Sequence, residues 1–178
     1  MKDIYHSNNI SVVVDNNILV DLFELNQLDL LFQVFDQVYI PQIIYMREVP
    51  QPIKNELTRF PFTIGILSTE VGQDTYAALL NDPAFKRLSM MDRMAIAIAK
   101  ENLFYCNSND LLVRKACEKY SVHIIGILGI VGRAYIQKLI DKDTLLFLLD
   151  ELTSDHTTCY IDIKYIVAFK EDIFGLNS

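Results

Sequence analysis

The sequence of 178 residues contains little of what marks several classes of protein. Its 6 glycines and 5 prolines are too few for a collagen-like or low-complexity chain. Its 3 cysteines are an odd number and form no CxxC pair, which argues against a disulfide framework and against a zinc site. The longest strongly apolar run, at 122–132, falls well short of the roughly 20 residues that a membrane-spanning helix needs. These absences predict a globular protein with no membrane association.

Positive charge is also scarce, because 16 lysines and arginines face 23 aspartates and glutamates and give a formal net charge of −7. A protein that holds nucleic acid mainly through phosphates normally has a basic surface. Any nucleic-acid role of this chain therefore requires a local basic patch, a metal ion or a partner that contributes positive charge. Hydrophobic residues make up 51% of the chain, so we expect a folded domain with a substantial core rather than disorder.

The start of the chain, from Met1 to His6, lacks the basic residues and the apolar core of a secretory signal. The small number of cysteines, in no disulfide pattern, suits a reducing compartment. We therefore expect a cytoplasmic protein.

The apolar pattern alternates between strands and helices along most of the chain. Val12-Val13-Val14 leads directly into Asp15 and predicts a strand buried on both faces, as in a parallel sheet. Further strands are predicted at 38–40, 62–67, 103–106 and 122–126. Helices are predicted at 18–25, 28–35, 42–48, 71–80, 89–101, 109–120, 128–140, 144–152 and 161–169. The segment 50–61, which contains Pro50 and Pro52, is predicted to be an irregular connection. This alternation predicts an α/β fold with a central, mainly parallel sheet flanked by helices.

Two acids are predicted to lie at the carboxyl edge of this sheet, where α/β proteins place their functional sites. Asp15 directly follows the first predicted strand, and Asp110 follows the strand at 103–106 after a short turn. Each also has a purely structural interpretation. Asp15 can form an Asx-turn or cap a helix, and Asp110 can stabilise the first turn of the next helix.

Two further acids lie on predicted helices. Asp92 shares one helical stripe with Leu88 and Ala95, and an acid on a buried stripe is costly unless it is compensated. The run from Ser89 to Asp92 also matches a capping box, and capping and function are compatible in one carboxylate. Glu48 lies near the end of its helix, where a surface glutamate paired with a base is the simpler interpretation.

The four acids are predicted to meet in one cleft. They are Asp15, Glu48, Asp92 and Asp110. Two like charges about 4 Å apart repel by roughly 4 kcal/mol at an effective dielectric constant near 20. Such a cluster must take up protons or bind hard cations, and carboxylates without His or Cys favour Mg²⁺ or Mn²⁺. Two such ions can activate water for an in-line attack on a phosphodiester. They also attract a polyanion to an acidic protein.

At these residues the sequence resembles the PIN-domain family of metal-dependent ribonucleases. The resemblance covers about residues 11–140, and it depends on the order of four short motifs and their spacing. These motifs are Val12-Val13-Val14-Asp15-Asn16-Asn17, Ile40-Pro41 with Glu48, Leu88-Ser89-Met90-Met91-Asp92 with its Ala-rich helix, and Asn107-Ser108-Asn109-Asp110. Residues 122–130 resemble the strand and turn of a PIN-like subgroup that is often found beside toxin–antitoxin genes.

The resemblance implies a three-layer PIN-like fold. It implies that Asp15, Asp92 and Asp110 hold one or two Mg²⁺ or Mn²⁺ ions, that Glu48 completes the cluster, and that Asn17 and Ser108 orient the acids. A metal-bound water would then attack the RNA backbone. Many members of this family are VapC-type toxins silenced by a cognate antitoxin, and many are homodimers. We expect one domain over 1–178, with a core at about 11–140 and extra helices at about 141–178.

Arg93 and Arg114 are the candidates for RNA contact, because each is close in sequence to a predicted metal ligand. A solvated position beside an acid is the commoner role of any single surface base. Two other functions stay open. A PIN-like protein with weak or no catalysis can keep its acids as helix caps and act through protein contacts. A phosphoacceptor domain has one reactive aspartate, and it predicts a nearby lysine and a shorter chain.

Overall fold

The computed structural model describes residues 5, 7, 9–154, 158, 159 and 161–175. The prediction that the start of the chain lacks a secretory signal concerns residues that lie mostly outside the described part, which excludes 1–4 and 6. Within that part, five parallel strands form one sheet in the order β3-β2-β1-β4-β5. The strands are β1 (Ser11–Val14), β2 (Gln37–Pro41), β3 (Thr63–Gly65), β4 (Tyr105–Asn107) and β5 (Ile124–Ile125). The predicted α/β fold is confirmed.

Ten α-helices and one 3₁₀ turn at Pro83–Phe85 accompany the sheet in the described residues. The first five helices are α1 (Asn16–Glu24), α2 (Leu28–Val34), α3 (Gln42–Arg47), α4 (Gln51–Leu57) and α5 (Glu70–Asn81). The other five are α6 (Met90–Asn102), α7 (Leu111–Lys119), α8 (Ile127–Ile136), α9 (Lys142–Glu151) and α10 (Ile163–Gly175). None of these helices is long and apolar enough to cross a membrane.

Helices cover both faces of the sheet and give the fold three layers. Helix α1 packs against α2, α4 and α8, and α9 packs on α8. On the other side, α5 packs on α6 and α6 packs on α7. The chain passes from β1 outward to β3 and then crosses to β4 beyond β1. Because connections between parallel strands are almost always right-handed, this change of direction puts the two groups of helices on opposite faces.

The central strand is β1, and its three valines have no solvent exposure. Val13 pairs with Tyr39 of β2 on one side and with Cys106 of β4 on the other. A run of β-branched residues suits such a strand because both of its faces and both of its edges are covered. The strand order reverses between β1 and β4, so the crevice at their carboxyl ends is where an open α/β sheet binds its ligands.

The prediction of an irregular segment at 50–61 is wrong, because α4 occupies Gln51–Leu57. Pro50 is the N-cap of this helix and Pro52 lies in its first turn, where the missing N–H of proline costs no hydrogen bond. Ile53 and Leu57 are buried and lie four residues apart on one face. The two prolines therefore begin a helix here instead of preventing one.

The C-terminal helices pack on the rest of the domain. Leu145, Leu148 and Leu149 of α9 are fully buried. Phe169 of α10 lies against Gly132 of α8, where an added Cβ would come within 3.0 Å of its ring. The added Cβ would also lie 2.5 Å from the Tyr5 ring, so position 132 requires glycine, and the contact with Phe169 ties α10 to the core.

Candidate active site

Asp15 lies at the carboxyl end of β1 and is 7% exposed. Its backbone N–H donates to the carbonyl oxygen of Asn107 over 3.1 Å and so extends the pairing of β1 with β4. Its side chain occupies the N-cap position of α1 but makes no capping hydrogen bond to that helix. Instead, the hydroxyl of Ser108 donates to Asp15 Oδ2 over 3.1 Å. The carboxylate is therefore held by the loop after β4.

Three of the predicted acids interact electrostatically. Burial raises the pKa of Asp15 to about 6, with further contributions from the negative charges of Asp92 and Glu48, while the hydrogen bond from Ser108 acts in the opposite direction. Burial and the charge of Asp92 also raise the pKa of Glu48. The structure thus brings Asp15, Glu48 and Asp92 into one electrostatic group, although they come from β1, α3 and α6.

Asp92 confirms the predicted capping box of α6. The backbone N–H of Ser89 donates to Asp92 Oδ2 over 2.7 Å, and the backbone N–H of Asp92 donates to the hydroxyl of Ser89 over 3.0 Å. Two amides at the start of the helix are satisfied in this way. Because one carboxylate oxygen is committed to the cap, the half-buried side chain is held in one orientation.

Glu48 lies directly after α3, which follows β2 without a connecting loop. Its backbone N–H donates to the carbonyl oxygen of Ile44 over 2.9 Å, so the last turn of the helix sets its position. Strand β2 is the neighbour of β1 in the sheet. This neighbouring position explains why Glu48 and Asp15 interact at the same edge.

Asp110 lies at that edge too, but its carboxylate faces its own helix. It is the N-cap of α7, and its Oδ1 accepts from the backbone N–H groups of Leu112 and Val113 over 2.6 and 2.9 Å. Its own backbone N–H donates to the hydroxyl of Ser108 over 3.2 Å. Ser108, which is fully buried, therefore connects the backbone of Asp110 with the side chain of Asp15.

Asn17 is exposed in the first turn of α1, close to Asp110. The two residues line a cavity of about 370 Å³ together with Val20, Asp21 and Asn109. No hydrogen bond joins Asn17 to an acid among the described side chains.

In the described residues, no group of three or more His, Cys, Asp or Glu side chains is arranged to hold a metal ion. The donor chemistry of the acids nevertheless fits a hard divalent cation, because every donor is an oxygen and the charges repel one another. Two buried amide oxygens beside this edge, Asn16 Oδ1 and Asn107 Oδ1, have no hydrogen-bond donor among these residues. Amide oxygens are also ligands that hard cations accept.

The structure gives Arg93 and Arg114 internal contacts. Arg93 is 8% exposed, and its guanidinium donates to the carbonyl oxygens of Phe85 and Lys86 over 3.3 and 3.2 Å. Arg93 holds the 3₁₀ turn, and its guanidinium is too buried to contact a phosphate. The structure therefore does not place Arg93 where it could contact RNA. Arg114 is half-buried, donates to the carbonyl oxygen of Ser108 over 3.3 Å, and has its pKa lowered by burial.

Asp21 and Asn109 are two polar residues that the sequence analysis missed. Asp21 is 5% exposed, and burial raises its pKa to about 6 against the effect of hydrogen bonds from Cys159 and Asn109. One signal was present in the sequence. Ile18, Asp21, Leu22 and Leu25 follow the spacing of one apolar helical stripe, so an acid at position 21 is buried unless the helix is exposed.

A family model for the PIN domain matches residues 11–172, which is most of the chain. None of the curated proteins matches it. The matched range begins at β1 and ends within α10, so it includes the two C-terminal helices.

Proposed function

Because the chain belongs to the PIN-domain family, whose members are generally nucleases, we propose that it is a metal-dependent endoribonuclease that hydrolyses RNA phosphodiester bonds. The supporting observation is the electrostatic group of Asp15, Glu48 and Asp92 at the carboxyl edge of the sheet. Burial and the nearby negative charge of Asp92 raise the pKa of Asp15 and of Glu48, and a divalent cation would relieve that repulsion. The site also lies at the switch point of the strand order, where this fold class binds ligands.

Asp15, Asp92 and Asp110, with Glu48, are the residues that would hold Mg²⁺ or Mn²⁺. When bound, such an ion lowers the pKa of a coordinated water and stabilises charge on a phosphate. The chain's own residues prepare this site. Ser108 orients Asp15 through its hydroxyl, and the capping box fixes the carboxylate of Asp92.

RNA must approach a protein with a net charge of −7, so the cation would contribute to binding as well as to chemistry. Two exposed arginines lie near the acids in sequence. Arg47 directly precedes Glu48, and Arg87 lies shortly before Asp92. We place the phosphate contacts at Arg47 and Arg87, with Arg114 stabilising the loop after β4.

We also propose that the protein is a toxin-like member of its family with a cognate antitoxin. The resemblance of residues 122–130 to a subgroup found beside toxin–antitoxin genes supports this proposal.

Exposed apolar side chains on the last two helices support a homodimer, and they belong to Phe147, Ile163 and Tyr165. The three cysteines are buried as thiols, which fits the reducing conditions of the cytoplasm.

A second candidate function is a protein-interaction module with weak or no catalysis. Two of the four acids favour it, because Asp92 and Asp110 both accept hydrogen bonds from backbone amides at helix starts. Such caps are worth about 1 kcal/mol each and explain an acid without catalysis. In this function the four acids would hold no metal.

Cleavage of a labelled single-stranded RNA with Mn²⁺ or Mg²⁺, with and without a chelator, separates the two candidates. We expect metal-dependent cleavage by the unmodified protein. We expect a loss of at least about 100-fold in Asp15→Asn and in Asp110→Asn, because a metal ion supplies several kcal/mol of transition-state stabilisation. Asp74→Asn, on the exposed side of α5, is the matched control and should cleave normally. Cleavage that survives both site substitutions contradicts the nuclease, and no cleavage by the unmodified protein favours the interaction module.

A further inference from the structure

The loop between β4 and α7 carries three consecutive side chains that each contact a different part of the fold. Ser108 donates to Asp15 at the end of β1 over 3.1 Å. Asp110 caps its own helix, α7. Asn109, between them, contacts neither of these elements and is directed at α1 and α8. The position of this loop therefore sets where two of the proposed metal ligands lie.

Both ends of the Asn109 amide are used. Its Nδ2 donates to Asp21 Oδ2 on α1 over 3.0 Å, and its Oδ1 accepts from the backbone N–H of Ile127 at the start of α8 over 3.0 Å. The second contact needs glycine at position 126, because an added Cβ there would lie 2.6 Å from Asn109 Oδ1. Nδ2 also lies 3.8 Å from Cys159 Sγ, and the shorter bond to Asp21 is the contact that joins Asn109 to α1.

Asp21 lies on the buried face of α1 with Ile18, Leu22 and Leu25 as its neighbours on the stripe. An acid costs free energy in such surroundings, and an apolar side chain would fill the position without that cost. The hydrogen bonds from Cys159 and Asn109 offset part of this cost, and the bond from Asn109 connects the carboxylate to the loop after β4. Packing alone gives no reason for an acid at this position.

We propose that Asp21 is a positioning residue for the acidic cluster. Through Asn109 it fixes the loop that holds the hydroxyl of Ser108 against Asp15 and places Asp110 at the same edge of the sheet. The proposal rests on the proposed nuclease function, and it gives Asp21 a role that acts through Asn109. Residues that hold metal ligands in place typically change metal affinity or activity by roughly 10-fold to 100-fold when they are removed.

Amide hydrogen exchange in the metal-free protein tests the structural half of the proposal. Asp21→Ala and Asn109→Ala remove the same hydrogen bond from its two sides, so one of them suffices if the other does not fold. We expect the Asp110 amide, which donates to Ser108, to exchange about tenfold faster in both, the factor set by one ordinary hydrogen bond. Asp21→Asn keeps an acceptor for Asn109 and should exchange like the unmodified protein. Unchanged protection of Asp110 in the alanine variants overturns the proposal.

Calorimetric titration with Mn²⁺ tests the functional half. We expect affinity to fall roughly 10-fold to 100-fold in Asp21→Ala and to be largely retained in Asp21→Asn. Ile18→Val is the matched control, because it loosens the same face of α1 without touching Asn109, and its affinity should not change. Equal loss in Asp21→Asn and Asp21→Ala overturns the proposal, since charge would then matter and the hydrogen bond would not. If the unmodified protein binds no Mn²⁺ and cleaves no RNA, the nuclease proposal fails, and the exchange result still decides whether Asp21 holds the loop.

Discussion

Replacing Asp15 by asparagine should stabilise the metal-free protein while it removes the proposed activity. The pKa of Asp15 rises from 3.8 to about 6 on folding, chiefly because the side chain is buried. Each pKa unit corresponds to about 1.36 kcal/mol, so the charged form of Asp15 opposes folding by about 3 kcal/mol above pH 6. An asparagine carries no charge, and its Oδ1 can still accept from Ser108. Because its NH₂ group brings donors that also need partners, we expect a gain of about 2 kcal/mol rather than the full amount.

The direction of the pH dependence follows from the raised pKa. The folded state binds the Asp15 proton more tightly than the unfolded state, so the unmodified protein loses stability as the pH rises from about 4 through about 6. Asp15→Asn has no such loss at this position. The gain in stability of Asp15→Asn should therefore be largest above about pH 7 and absent below about pH 4.

Urea denaturation in the presence of a chelator, followed at both pH values, measures this difference. Asp74→Asn provides the control, because it makes the same change on an exposed face of α5 and should give no pH-dependent gain. Two results would refute the reasoning. One is an Asp15→Asn protein that is no more stable than the unmodified one near neutral pH, and the other is a gain of equal size at both pH values.

Two further substitutions test the packing around the site. Ser89→Ala removes the hydroxyl that accepts from the Asp92 amide, so we expect the free energy of unfolding in urea to fall by about 1 kcal/mol. Ser89→Gly should lower it by only a few tenths of a kcal/mol. Equal losses in the two variants would contradict the capping role. Gly132→Ala places a methyl group 2.5 Å from the Tyr5 ring and 3.0 Å from the Phe169 ring, and it should cost about 1–3 kcal/mol of stability through overpacking. Gly175→Ala, with nothing within 4 Å of the added Cβ, is its control, and thermal melting of the two variants compares them.

The sequence predicted those elements of the fold whose residues lie close together in the chain. The valines that lead into Asp15 identify β1, since a short run of β-branched residues followed by turn residues is typical of a covered strand. The capping box from Ser89 to Asp92 was also readable, because both of its hydrogen bonds lie within one helical turn. The helix α4 was missed because prolines were taken as breakers at positions where they begin a helix.

The site was less accessible to sequence analysis than the fold. The pattern gave the acids but not the direction in which each carboxylate faces, and Asp110 shows the difference because it faces the amides of α7. Arg93 was close in sequence to a predicted ligand, yet the geometry of the 3₁₀ turn buries it. Asp21 and Asn109 lie far apart in the chain, so no local sequence pattern predicts their contact.

The central position of β1 also determines when the site can form during synthesis. Strands β1, β2 and β3 are neighbours, and they leave the ribosome before β4. The other edge of β1 pairs with β4, and the hydroxyl that holds Asp15 belongs to Ser108, 93 residues later in the chain. Pairing between such distant segments is slow, because closing a long loop costs conformational entropy before the contacts contribute any stability. Before β4 emerges, the nascent chain therefore has three of the five strands and no Ser108 hydroxyl beside Asp15. The site is completed only after β4 and the loop that follows it have been made.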